Sequence, residues 1–171
     1  MMRIIYSVIM AVVIVVSGLA QGSQYEKIDK LKDQIMKIQN AGKLGVRNLT
    51  MCRKVLGYGA YVPYSGNVAS KGAVIFFYYE IENIFTNKSK DKYSISFSQD
   101  AILTNSKGVE LLNKPKIIKM NYNSNKPMLN LYATFKLNLS SAKPGDYIYK
   151  LALYDELKGA KITAEFPFTI K

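Results

Sequence analysis

The chain has 171 residues with 24 Lys and Arg against 12 Asp and Glu, one cysteine, and neither histidine nor tryptophan. Lacking histidine, it cannot assemble Ser-His-Asp or Cys-His machinery or offer the commonest transition-metal ligand, and one cysteine rules out an internal disulfide. The net charge of +12 draws anionic partners over long range and is silent on fold.

Met1-Met2-Arg3, the apolar run at 4–16, and the small residues Gly18 and Ala20 are the three parts of a secretory signal peptide. The run is shorter than the roughly 20 residues that span a bilayer. The expectation is export, periplasmic or extracellular, with residues 1–20 removed and no stable membrane insertion afterwards. The alternative is an uncleaved N-terminal membrane anchor, since residues 4–20 carry no charge. Residues 21–45 read as a helix and linker. Ile28, Leu31, Ile35 and Ile38 fall three and four apart, an amphipathic stripe. Gly42 supplies the stop and suits a left-handed C-terminal cap. The stripe implies a helix that packs on or tethers the following domain, or one that binds a partner.

From residue 46 to 171 the period changes to two. In the segment 73–84, Ile75, Phe77, Tyr79 and Ile81 face inward, and Phe76 and Tyr78 face outward beside Glu80 and Glu82. A polar hairpin (86–92) leads to a strand at 93–103. Segment 108–121 holds one or two strands broken near Pro115, which lacks a ladder donor. Three alternating rows follow: Leu131 to Leu139, then Tyr147, Tyr149, Leu151 and Leu153, then Ile162 to Ile170. Strands of this length with turn signals about every ten residues predict an all-β antiparallel sandwich of about seven strands. No helical pattern lies between them, which argues against a parallel α/β sheet.

The stretches GAVIFFYYEIEN (72–83), YSISFSQDAILTNSKG (93–108) and KPGDYIYKLALYDELKGAKITAEFPFTI (143–170) resemble uncharacterised exported bacterial proteins with an immunoglobulin-like or fibronectin-III-like sandwich. The resemblance covers residues 49–171. It implies that architecture and leaves function open, because such domains serve many tasks. The tryptophan and cysteine pair of antibody-type domains are absent.

Paired carboxylates are the chemistry left open. Glu80 and Glu82 share one face of a strand, but a glycosidase pair needs a set separation and an enclosing cleft, and on a lysine-rich chain they are expected to be solvated and ion-paired. No calcium loop, phosphate-binding loop or dinucleotide fingerprint occurs. The expectation is therefore a non-enzymatic protein without cofactor or metal.

Two features point to binding. Tyr58, Tyr61 and Tyr64 lie three apart in a Gly- and Pro-containing loop, and tyrosine offers a flat apolar face with a polar tip. They form a ligand-contact site or close one end of the sandwich. Lys88, Lys90 and Lys92 on the polar hairpin, with Lys114, Lys116 and Lys119 beyond it, form an anionic-surface contact or a dispersed solubilising charge. Nucleic acid is not expected as a partner, since no groove-reading motif is present. The function expected is an exported, non-enzymatic cell-envelope binding or scaffolding module for an envelope protein or an anionic or glycan polymer. The alternative is an inhibitor or regulator of an exported hydrolase acting through a protruding VPYSG (62–66) or NYNSNKP (121–127) loop. An envelope glycan hydrolase is a third reading.

Overall fold

A computed structural model of the protein describes residues 24–171, so the leader expected at 1–20 lies outside the described residues. Among the described residues one α-helix, α1 (24–41), precedes ten strands. These are β1 (Gly45–Gly57), β2 (Ala60–Pro63), β3 (Val68–Ala69), β4 (Val74–Glu82), β5 (Asn87–Ser89), β6 (Lys92–Asn105), β7 (Glu110–Ser124), β8 (Leu131–Asn138), β9 (Gly145–Asp155) and β10 (Ala160–Ile170). Seven strands are long, the number expected, and β4, β8, β9 and β10 answer to the rows that alternation predicts. β2, β3 and β5, of four, two and three residues, are additional and too short to show a period.

The strands form two packed sheets. One has four strands in the order β2-β1-β4-β8; the other has six, β3-β10-β9-β6-β5 with β7 also paired to β6. The pairings are antiparallel except that of β3 with β10. Alternation fixes which side chains meet. Ile75, Phe77, Tyr79 and Ile81 of β4 point inward, as expected, toward Tyr147, Tyr149, Leu151 and Leu153 of β9, and Phe166, Phe168 and Ile170 of β10 join them. The Phe77 ring stacks on Tyr149 at 4.0 Å. Each such fully buried side chain contributes about 2 kcal/mol.

One polar bridge crosses this core. The Tyr79 hydroxyl donates to Gln99 Oε1 at 2.5 Å, and Gln99 Nε2 donates to the Tyr149 hydroxyl at 2.8 Å. Tyr79 belongs to one sheet and Gln99 and Tyr149 to the other, so the amide ties the layers together. Asp155 does similar work at the sandwich edge. Its buried carboxylate accepts from the backbone N–H groups of Phe85, Leu157 and Lys158 at 2.8, 3.0 and 2.9 Å. It thereby caps the β9–β10 turn and pins the connection after β4.

Two local expectations are revised. Pro115 does not break its segment, because β7 runs through it with a register shift opposite Gln99 and Ala101. There Lys116 takes φ 48° and its N–H donates to Asp100 Oδ1. A bulge on an edge strand accommodates proline without losing a ladder bond. Nor does Gly42 form a left-handed cap. Its N–H donates to Ile38 O at 3.1 Å, and a Cβ there would come within 2.6 Å of the Asn83 side chain, so close approach is what requires glycine.

The helix packs on the sandwich, but through the face opposite the apolar stripe. Asp29, Asp33, Met36 and Asn40 recur at helical spacing on the docked side. Asp29 pairs with Lys126, and Asp33 accepts from Lys88 Nζ at 2.5 Å and from the Tyr93 hydroxyl at 2.7 Å. Asn40 exchanges two hydrogen bonds of 2.8 Å with the Thr86 backbone, and Met36 is buried.

Candidate functional site

The outer face of the four-stranded sheet carries an aromatic and charged cluster built from three strands. Between Arg47 and Thr50, β1 has one residue more than β4 has between Glu80 and Tyr78. Asn48 takes the extra place at φ 55°, a conformation asparagine tolerates better than most residues. A bulge of this kind re-aims side chains. Here it brings both Arg47 and Asn48 to Glu80.

Glu80 lies at the centre and is only 3% exposed although it faces away from the core. Its Oε1 accepts from the Tyr78 hydroxyl at 2.9 Å, and its Oε2 accepts from Asn48 Nδ2 at 2.9 Å with Arg47 Nε at 3.5 Å. Arg47 Nη2 reaches Glu82 Oε1 at 2.9 Å. The guanidinium is held above its ordinary pKa by the Tyr58 phenol first, then by Glu82 and Glu80. The expectation of a solvated acidic pair therefore holds for ion pairing and fails for Glu80's exposure. The bulge residues Arg47 and Asn48 lie against it. Both carboxylates are occupied in holding Arg47, an arrangement that orders a surface.

Tyr78 links this network to the rings. Gly59, at φ 68° in the β1–β2 turn, donates its N–H to the Tyr78 hydroxyl at 2.8 Å. Burial pushes that phenol up to about 12, so it stays a neutral donor to Glu80. Tyr61 lies against the Tyr78 ring at 4.4 Å on one side and Tyr132 at 5.6 Å on the other. A row of three rings thus crosses the sheet from β2 to β8. Tyr78 is enclosed, while Tyr132 is 37% and Tyr58 is 38% exposed.

Of the three tyrosines singled out in the sequence, Tyr58 and Tyr61 reach this face. Tyr64 does not join them. It packs against the core, with the Arg53 guanidinium 4.8 Å from its ring centre. Tyr78 and Tyr132 belong to the cluster but were not singled out. Their outward parity was legible, but the strand order that aligns them with Tyr61 was not.

The lysines separate. Lys88, Lys90 and Lys92 stay on the β5–β6 hairpin, where Asp33 engages Lys88 and Asn125 accepts from Lys92. Lys116 pairs with Glu156 on β7's side of the six-stranded sheet, and Lys119 adds to the positive field on the same carboxylate. Lys114 lies opposite Ala101, exposed. The two loops named for the inhibitor alternative each have an anchor on the domain. Tyr64 of 62–66 is packed against the core, and in 121–127 Asn125 and Lys126 are held by Lys92 and Asp29.

A trough of about 670 Å³ opens elsewhere, at the end of the sandwich, lined by Leu103, Leu111, Leu137 and Tyr147 with Lys107 and Lys143. Two of its polar groups are engaged internally: Asp146 accepts from Thr169, and the Tyr147 hydroxyl donates to Lys143 O. Among the described residues no three of His, Cys, Asp or Glu gather as metal ligands.

No family model and no curated protein matches the chain. Among solved structures, it is similar to part of the Pseudomonas fluorescens alkylpurine DNA glycosylase AlkC, with a TM-score of 0.42 and 10% identity over 76% of this chain and 31% of that one. It is similar to part of a family 123 glycoside hydrolase from Clostridium perfringens, with a TM-score of 0.43 and 11% identity over 76% of this chain and 27% of that one. A Northeast Structural Genomics Consortium target matches at a TM-score of 0.30 and 14% identity, over 75% and 85% of the two chains. The chain spans less than a third of the length of the first two.

Proposed function

We propose that this is an exported, non-enzymatic binding module of the cell envelope, with an immunoglobulin-like sandwich as scaffold. Its ligand is a glycan polymer laid across the outer face of the four-stranded sheet. The observation that carries this reading is the ring row Tyr61–Tyr78–Tyr132. Flat rings beside hydroxyls and a fixed Arg47–Glu82 pair suit the apolar faces and hydroxyl edges of sugars. The buried Glu80 network fixes the rings in advance, which spares the ordering cost that weakens binding by mobile side chains.

The test is affinity sedimentation with insoluble envelope glycan. Each exposed ring is worth about 1 kcal/mol, so Tyr132→Ala weakens retention by roughly fivefold and Tyr132→Phe leaves it nearly unchanged. Equal retention of the parent and Tyr132→Ala would remove the glycan assignment.

A further inference from the structure

An amphipathic helix on a globular domain normally turns its apolar stripe to the core. α1 does the reverse. Its carboxylates face the sandwich, where Lys126 and Lys88 neutralise them. Its stripe faces out, with Ile28 and Ile35 45%, Leu31 50% and Ile38 73% exposed. Tyr25, also exposed, stands at the start of the stripe. The inversion is a consequence of docking: four side chains, Asp29, Asp33, Gln39 and Asn40, hydrogen-bond to partners on the sandwich. The domain is satisfied without the stripe, and the stripe is left unburied.

The charges segregate with it. Lys27, Lys30 and Lys37 are exposed and make no ion pair among the described residues, and Glu26 is the one acid of α1 off the docked face. Lys27 is four residues before Leu31, and Lys32, which also pairs with Asp29 at 3.5 Å, is four after Ile28, so lysines flank the stripe on both sides. An apolar stripe bordered by lysines is the pattern of a helix lying in the surface of an anionic membrane. An aromatic ring at its end suits the headgroup level.

We propose that the outward face of α1 docks on an anionic lipid bilayer, with the helix lying in the membrane plane. Ile28, Leu31, Ile35 and Ile38 enter the headgroup–acyl boundary, and Lys27 and Lys30 meet the lipid phosphates. No described helix is long and apolar enough to cross a membrane, so the helix lies on the bilayer. A second copy is a poorer occupant. The stripe offers about two heptads, short for a coiled coil, and a paired helix would bring a second set of lysines to the same seam. The surface is separate from the tyrosine face and does not depend on its ligand.

The experiment is flotation of the purified full chain with vesicles of phosphatidylcholine alone or mixed with phosphatidylglycerol, with the oligomeric state measured in parallel. The expected result is binding to the phosphatidylglycerol vesicles alone that falls as salt is raised. Leu31→Glu with Ile35→Glu reduces it by about tenfold or more, and each of Lys27→Ala and Lys30→Ala by roughly fivefold. These residues are exposed, so the variants keep the parent's unfolding midpoint. Three results overturn the proposal. They are no binding by the parent, binding indifferent to lipid charge and to the variants (which assigns it to the run at 4–16), and a solution dimer that the double variant dissolves.

Discussion

Asn48 Nδ2 donates to Glu80 Oε2 at 2.9 Å across 32 residues of sequence, and it reaches only because β1 bulges at that point. This contact places a carboxylate under the tyrosine row and gives the outer face its order. In Glu80→Ala, the Tyr78 hydroxyl, Asn48 amide and Arg47 guanidinium all lose their shared acceptor. Arg47 is exposed and keeps Glu82, so the main cost is the buried Tyr78 hydroxyl left without its acceptor, about 1–3 kcal/mol. Urea unfolding of the variant should show that loss, and Glu82→Ala, whose carboxylate is more exposed, should lose well under half as much.

Alkali should separate the tyrosines. A phenol whose folded pKa is raised contributes stability that is complete below its unfolded value and is lost as pH rises through the folded one. For Tyr78 that window runs from 10.0 to about 12. Burial pushes Tyr79 and Tyr149 up as well. Ultraviolet titration should show exposed tyrosines ionising first and a late group that ionises only with the loss of β-sheet circular dichroism. A single transition near 10 with the sheet intact would contradict the burial of all three.

Acid should loosen α1 before it unfolds the sandwich. Hydrogen bonds from Lys88 and then Tyr93 hold Asp33 below its ordinary 3.8, and Lys126 does the same for Asp29. A depressed carboxylate stabilises above its unfolded value, and that contribution disappears as pH falls through the folded value. Hydrogen exchange of residues 24–41 should therefore accelerate as pH is lowered past 3.8, after correction for intrinsic rates, while β4 and β9 stay protected. Asp33→Asn should show the same acceleration at neutral pH.

The core bridge predicts a substitution whose sign hydrophobicity alone gets wrong. Gln99→Leu adds apolar volume to a fully buried site but leaves the Tyr79 hydroxyl without its acceptor and the Tyr149 hydroxyl without its donor. Each unpaired buried group costs about 1–3 kcal/mol, which outweighs the leucine's gain. The unfolding midpoint should fall. A rise would mean that the amide is not what joins the sheets there.

The fold was legible wherever period two was long enough to read. The rows in β4, β8, β9 and β10 point as alternation requires, and the Tyr147–Tyr149 row that resembles a contact surface in one dimension is core. Three things were not legible. β2, β3 and β5 are too short for alternation to show, so they emerge only from pairing. The orientation of α1 is set by acids meeting Lys88 and Lys126 far along the chain, and local amphipathicity points the other way. The site was half legible. Tyr58 and Tyr61 announce themselves by spacing, whereas Tyr132 joins them only because β8 lies beside β4, and Glu80 is buried only because a bulge aims Arg47 and Asn48 at it.

Because the chain has no tryptophan, its tyrosine rings can be followed without interference, and ring-labelled NMR is the most direct test of the binding face. Soluble oligosaccharides from envelope glycan are titrated into the protein. The account predicts saturable shifts at the rings of Tyr58, Tyr61 and Tyr132, none at Tyr79 or Tyr149, and loss of the response in Tyr132→Ala. Shifts confined to Tyr147 in the end trough, or no shift at Tyr58, Tyr61 and Tyr132 at saturating glycan, would contradict it.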